Sequence, residues 1–208
     1  IRELGCISGV NLTASHNPPE YNGYKAYWED GAQITPPVDE EIMAEVKAVT
    51  DYSQIATMKK EEAIAKGLYI SIGEEIDYRY LEECKKNVRY LDAIKAVGSE
   101  LTIVYTPLHG AGNVWVRRLL RELGFTKVYV VPEQEKPNGD FPTVSYPNPE
   151  DPDAFSLALE LGREKDADLV IATDPDSDRI GVYVKNPDGG DFIRFNGNMI
   201  GCFLEDYE

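Results

Sequence analysis

Three aspartates alternate after an apolar run. They are Asp174, Asp176 and Asp178 in A-T-D-P-D-S-D-R, which follows Leu169–Ile171. At period two in a near-extended loop, the spacing predicts that their carboxylates point to one side. Three carboxylates that close repel one another and raise one another's pKa, and a divalent cation removes that conflict. An all-oxygen set suits magnesium, manganese or calcium, not zinc. An EF-hand fails by counting: from Asp174 the sixth position is Arg179 instead of Gly, and the twelfth is Lys185 instead of Glu. Three protein carboxylates leave octahedral magnesium with open positions, and a phosphate oxygen fits one of them. Arg179 follows directly and can hold a phosphoryl oxygen or pin the loop. The plain alternative is a solvated acidic turn.

A second polar loop, T-A-S-H-N-P-P-E-Y-N-G-Y-K, runs from Thr13 to Lys25. It follows the strand expected over 8–12, and open α/β sheets place ligands at the carboxyl ends of strands. Pro18 and Pro19 stiffen it. A stiff loop displaying the Ser15 hydroxyl can hold a nucleophile or a phosphoserine. Lys25 supplies a cation for phosphate, or a base if its pKa is depressed. A polar turn with a solvated Ser and Lys is the alternative. There is no G-x-S-x-G elbow and no identifiable acidic triad partner, so a serine hydrolase is disfavoured.

Y-T-P-L-H-G-A-G, residues 105–112, is a third such loop. Gly110 and Gly112 let backbone approach a ligand, and the amino end of the helix that follows favours anions. The alternative is a strand-to-helix turn with Gly for packing. The spacing is neither that of a dinucleotide fingerprint nor that of a P-loop. The chain's two histidines, His16 and His109, each lie in one of these loops.

The elements that must carry the loops follow from periodicity. Residues 8–12 are apolar enough for a buried strand, and 24–28 alternate as another. Asp30-Gly31 signals a hairpin turn, after which Gln33-Ile34 can pair back. Thr35 as N-cap and Pro36 at the first helical position predict a helix carrying Val38, Ile42, Val46 and Val49 on one face. Leu81, Cys84, Val88 and Leu91 mark another helix face. Strands over 101–105, 127–131, 168–173 and 180–185 alternate with helices over 113–123 and 153–165. That order implies a parallel sheet with right-handed crossovers. Six of the thirteen prolines fall between Pro132 and Pro152, a loop rather than a helix. Residues 198–207 read as the start of a further helix.

The chain has 208 residues, 42% of them apolar and 28% charged, so it reads as soluble and globular. No run is long enough to span a membrane, and no signal peptide is visible. With 21 basic and 37 acidic residues the net charge is −16, which argues against nucleic acid and anionic membrane as partners. Three cysteines, Cys6, Cys84 and Cys202, exclude a disulfide framework and suit the reducing cytoplasm.

The stretches Thr13–Pro18, Asn22–Lys25 and Asp174–Arg179 resemble the signatures of the phosphohexomutases, the phosphoglucomutase/phosphomannomutase superfamily. F-P-T-V-S-Y-P-N-P-E, residues 141–150, and T-P-L-H-G-A-G are similar to that family too. The Pro at position 175 resembles the phosphoglucomutase and phosphopentomutase-like branch. The resemblance implies an α/β fold with mixed, mostly parallel sheets flanked by helices. It places the rear of the first family domain at 1–72, the second domain at 73–184 and the start of a third at 185–208. It implies that Ser15 is the phosphoserine and that Ser15, Asp174, Asp176 and Asp178 hold one magnesium. His16, Lys25 and Arg179 would assist phosphoryl and proton transfer, and Thr13, Asn17 and His109 would contact substrate.

The activity implied is interconversion of glucose 1-phosphate and glucose 6-phosphate, with a glucose 1,6-bisphosphate-type activator. Phosphomannomutase and phosphopentomutase are alternatives within the family. A magnesium-dependent phosphatase and a non-catalytic phosphosugar-binding module are alternatives outside it. The family's sugar-reading Gly-Glu-x-Ser-Gly loop and its Arg-x-Ser-Gly-Thr phosphate loop, from domains III and IV, are not found in the sequence. These 208 residues alone are therefore expected to be a partial enzyme without mutase turnover.

Overall fold

The computed structural model describes residues 1–208, which divide into two units. One comprises residues 1–12 and 24–79; the other comprises 13–23 and 80–208. The polar loop that holds Ser15 thus groups with the second unit, while the strands on either side of it group with the first.

In the first unit β1 (Ser8–Leu12) pairs antiparallel with β2 (Tyr24–Trp28), placing Lys25 opposite Asn11. The expected return of Gln33 occurs as a bridge to Tyr27. β1 is not the buried strand its composition predicts: Val10 is 53% and Leu12 72% exposed. Its only strand partner is β2, and a two-stranded ribbon has no interior of its own. The first helix, α1 (Val38–Ala48), begins later than the Thr35 cap predicts, with Pro37 at the N-cap. Pro36 precedes another proline and is thereby disfavoured from the helical region. A short helix α2 (Lys60–Ala65) follows, then α3 (Glu74–Lys86), on which the two units divide.

The second unit is built on a five-stranded sheet in the order β4-β3-β5-β6-β7. β3 (Thr102–Thr106) lies between β4 (Lys127–Val130) and β5 (Leu169–Thr173), parallel to both. β6 (Ile180–Val184) returns antiparallel to β5, and β7 (Ile193–Phe195) antiparallel to β6. The expectation of a parallel sheet therefore holds for three strands only. The physical reason is length: β5 and β6 are joined by 174–179, whereas a parallel crossover takes a dozen or more residues.

The helices of this unit are α4 (Leu91–Val97), α5 (Gly112–Leu123), α6 (Ser156–Lys165) and α7 (Gly197–Tyr207). α6 packs on β3 and β5. Val104, Leu108, Phe155, Ala158, Val170, Ala172 and Tyr183 form the centre of the core. The rings of Phe155 and Tyr183 are 4.6 Å apart. Residues 185–208, expected to open a third domain, group with this unit: β7 extends the sheet, and Tyr207 on α7 meets Tyr90 at 5.1 Å between ring centroids.

Because β3, β4 and β5 run parallel, the segments that leave their carboxyl ends share one edge of the sheet. Those segments are the Pro107–Ala111 turn, the proline-rich stretch and the aspartate loop. No helix is long and apolar enough to cross a membrane. Cys6 and Cys202 are exposed, Cys84 is half-buried, and all three are free.

Candidate functional site

The aspartates converge, but not along an extended path. The Ser177 N–H donates to the Asp174 carbonyl at 3.0 Å, and Ser177 has a φ of 62°, so the connection turns sharply. A hairpin connection concentrates its side chains where an extended one would string them out. One carboxylate oxygen from each of Asp174, Asp176 and Asp178 lies within 4.8 Å of the other two. Asp174 is fully buried, Asp176 half-buried and Asp178 exposed. Burial, then a hydrogen bond shared with Asp176, pushes the Asp174 carboxyl up to about 7; the Arg179 N–H, donating to Asp174 Oδ1 at 3.0 Å, opposes this. A buried carboxyl crowded by two others is a donor set that fits a hard divalent cation.

The serine loop meets this cluster directly. Ser15 Oγ donates to Asp174 Oδ2 at 3.3 Å and lies 3.1 Å from His16 Nδ1. One hydroxyl proton serves one bond, so with Ser15 donating to Asp174 the His16 Nδ1–H donates to Ser15 Oγ. Thr13 ties the two loops together: its Oγ1 accepts the Ser15 N–H at 2.8 Å and donates to Asp176 Oδ2 at 3.1 Å. The loop neck closes where the Thr13 N–H donates to the Gly23 carbonyl at 3.1 Å. Ser15 itself has a φ of 56°, strained for a residue with a side chain.

His16 packs edge-on against Tyr146, with ring centroids 5.4 Å apart and planes at 73°. Burial and the Arg179 charge lower the His16 pKa from the ordinary 6.5, against opposing pulls from Asp176, Asp178 and Glu150. Arg179 is exposed at the end of the aspartate loop and Asn17 is exposed on the serine loop. Lys25 belongs to the other unit, on β2.

His109 is 4% exposed, with Nε2 2.8 Å from Thr143 Oγ1 and Nδ1 3.3 Å from the Lys136 carbonyl. Both ring nitrogens are thus engaged by the proline-rich stretch. Spacing gave no sign of the bridging by Thr13 or of the Tyr146 contact. Tyr146 lies within the 141–150 stretch that the family resemblance had singled out, and no other signal marks it.

The family profile "Phosphoglucomutase/phosphomannomutase, alpha/beta/alpha domain II" matches residues 78–190, and that for domain I matches residues 1–53. The chain belongs to the phosphoglucomutase/phosphomannomutase family. It is 37% identical over 220 residues to a phosphoribomutase of Saccharomyces cerevisiae, covering 100% of this chain and 35% of the relative. It is 37% identical over 204 residues to a phosphoglucomutase of Staphylococcus saprophyticus, covering 98% of this chain and 36% of the relative. A solved structure from Thermus thermophilus, provisionally assigned as a phosphomannomutase, superposes with a TM-score of 0.73 at 29% identity, over 99% of this chain and 42% of that one. The chain therefore spans little more than a third of the length of these two relatives.

Proposed function

We propose that these residues carry the phosphoryl-transfer centre of a mutase that interconverts sugar 1-phosphates and 6-phosphates, with glucose phosphates as first substrates. In this reading Ser15 is the phosphoryl carrier. Asp174, Asp176 and Asp178, with an oxygen of the group on Ser15, hold one magnesium. Bound there, the ion neutralises charge that spreads over the transferring oxygens. The observation that carries the reading is the Ser15 hydroxyl on Asp174 within the three-carboxylate cluster.

Each protein group then has a stated task. The bond from phosphorus to Ser15 Oγ breaks as one to a sugar hydroxyl forms. The departing serine oxygen needs a proton, and the His16 Nδ1–H faces it. The sugar hydroxyl must lose one, which the other nitrogen of a neutral imidazole accepts. A lowered His16 pKa keeps the ring neutral for both tasks. Arg179 is assigned to the phosphoryl oxygens as an exposed cation beside the cluster. The bisphosphorylated sugar then returns its original phosphate to Ser15. The relatives' greater length supports placing the sugar-reading loops outside these 208 residues.

The test is intact-mass measurement of the full-length enzyme after incubation with glucose 1,6-bisphosphate and magnesium. One phosphoryl group should be added, and Ser15→Ala should abolish the addition. Undiminished labelling in that variant overturns the assignment. Steady release of inorganic phosphate without isomer formation would replace the mutase with a phosphatase.

A further inference from the structure

The Tyr105–Gly112 turn stands at the same edge of the sheet as the aspartate loop, yet no step above uses it. Its glycines were expected to admit a ligand. The space beside them is filled instead by the aspartate loop. The Ala111 N–H donates to the Pro175 carbonyl at 2.8 Å. A Cβ built on Gly110 would lie 2.3 Å from Pro175 Cα and 2.6 Å from its carbonyl oxygen, both backbone atoms that no rotamer can move aside. A Cβ on Gly112 would lie 2.5 Å from Ser177 Oγ and 2.6 Å from the Tyr105 hydroxyl. The Tyr105 side chain is fully buried, and its hydroxyl shares a 2.8 Å hydrogen bond with Thr173 Oγ1. Thr173 is the residue before Asp174.

The aspartate loop is thus gripped at its start through Thr173 and in its middle through Pro175 and Ser177. A grip is needed. Three crowded carboxylates push the loop open, and Ser177 holds a left-handed conformation that a free chain seldom keeps. The turn is itself anchored: Leu108 and His109 have φ of 46° and 62°, and the His109 ring is fixed on the proline-rich stretch.

We propose that Gly110 and Tyr105 are positioning residues of the cation site, the Tyr105–Gly112 turn being the template on which the Asp174–Arg179 connection takes its ligating shape. This rests on the metal reading of that connection. Partners that orient metal ligands typically contribute about 10–100-fold in metal affinity.

The test uses manganese as the probe, its free ion counted by electron paramagnetic resonance during titration of the 208-residue chain. Gly110→Ala should weaken manganese binding about ten-fold or more, and Tyr105→Phe should weaken it several-fold. Gly139→Ala, whose new methyl meets nothing within 4 Å, should bind as the unaltered chain does. Gly110 does not have a positive φ, so the added methyl acts by displacing Pro175 and not by straining its own backbone. Thermal midpoints in EDTA separate the roles, because a merely structural grip lowers the midpoint and leaves the affinity of folded protein unchanged. Unchanged affinity in folded Gly110→Ala overturns the proposal. Should that variant fail to fold, unchanged affinity in Tyr105→Phe overturns it. An unaltered chain that binds no manganese either with or without phosphate on Ser15 overturns the metal reading, and this one with it.

Discussion

Ser15 Oγ donates to Asp174 Oδ2 at 3.3 Å across 159 residues of sequence. The pair joins the two candidate loops at their most constrained points. Ser15 is held at a φ of 56°, and Asp174 is buried with its pKa pushed up to about 7. Strain and an unfavourable charge in contact are costs that a purely structural loop pairing would shed. Their coincidence at one spot supports the phosphoryl-transfer role proposed for Ser15.

Thr13 is the link whose loss should be felt on both sides. Its hydroxyl accepts the Ser15 N–H and donates to Asp176 Oδ2. Thr13→Val keeps the shape and removes both bonds. A hydrogen bond to a charged acceptor contributes about 1.5–3 kcal/mol, and a neutral one about 1 kcal/mol. The rate of Ser15 phosphorylation by glucose 1,6-bisphosphate should therefore fall about ten-fold or more, with Thr13→Ser restoring most of it. A Thr13→Val rate equal to the unaltered one would show that the link positions nothing.

The Asp174 carboxyl gives the fold a pH dependence with a definite sign. Its folded pKa of about 7 lies above the ordinary 3.8, so between those values the folded chain holds a proton that the unfolded chain has lost. Stability without metal should fall as pH rises from about 4 to about 7, and Asp174 should add no further loss above that. Magnesium reverses the balance, since the cation binds the ionised carboxylate and stabilises the folded state more as pH rises. Thermal midpoints across this range, in EDTA and in magnesium, make the comparison. Asp174→Asn should flatten the decline in EDTA and remove the gain from magnesium. A decline as steep in Asp174→Asn would assign it to the chain's general excess of acid instead.

What the sequence revealed and what it concealed divide along a physical line. Asp174, Asp176 and Asp178 were legible because their spacing is local, and the β5–β6 connection that carries them is short. That same shortness contradicted the expected parallel sheet, since 174–179 can only turn back. The exposure of β1 was not legible, because Val10 and Leu12 have strand-like composition whether or not anything covers them. Contacts that depend on the folded sheet left no pattern to read. Tyr146 reaches His16, and Tyr105 reaches Thr173 from 68 residues away. Glycines at 110 and 112 signalled a close approach correctly, but not that the aspartate loop is what approaches.

The electrostatics of His16 can be followed through its imidazole proton resonances, because the chain has only two histidines. Burial first, then the Arg179 charge, sets its pKa below 6.5, while Asp176, Asp178 and Glu150 pull upward. In metal-free buffer, Arg179→Gln removes a cation that disfavours the imidazolium, so the His16 titration should move up. Asp178→Asn removes an anion that favours it, so the titration should move down. Both displacements should shrink in high salt, since Arg179 and Asp178 are exposed and screened. Tyr146→Ala opens the ring to water and should also move the titration up, toward the ordinary value. Phosphate on Ser15 places negative charge beside Nδ1 and should move the titration up, against the lowering by burial and Arg179 that the neutral ring of the proposed transfer needs. A His16 titration at or above 6.5 in the unphosphorylated chain, indifferent to Arg179→Gln, would remove the neutral imidazole from the proposed transfer.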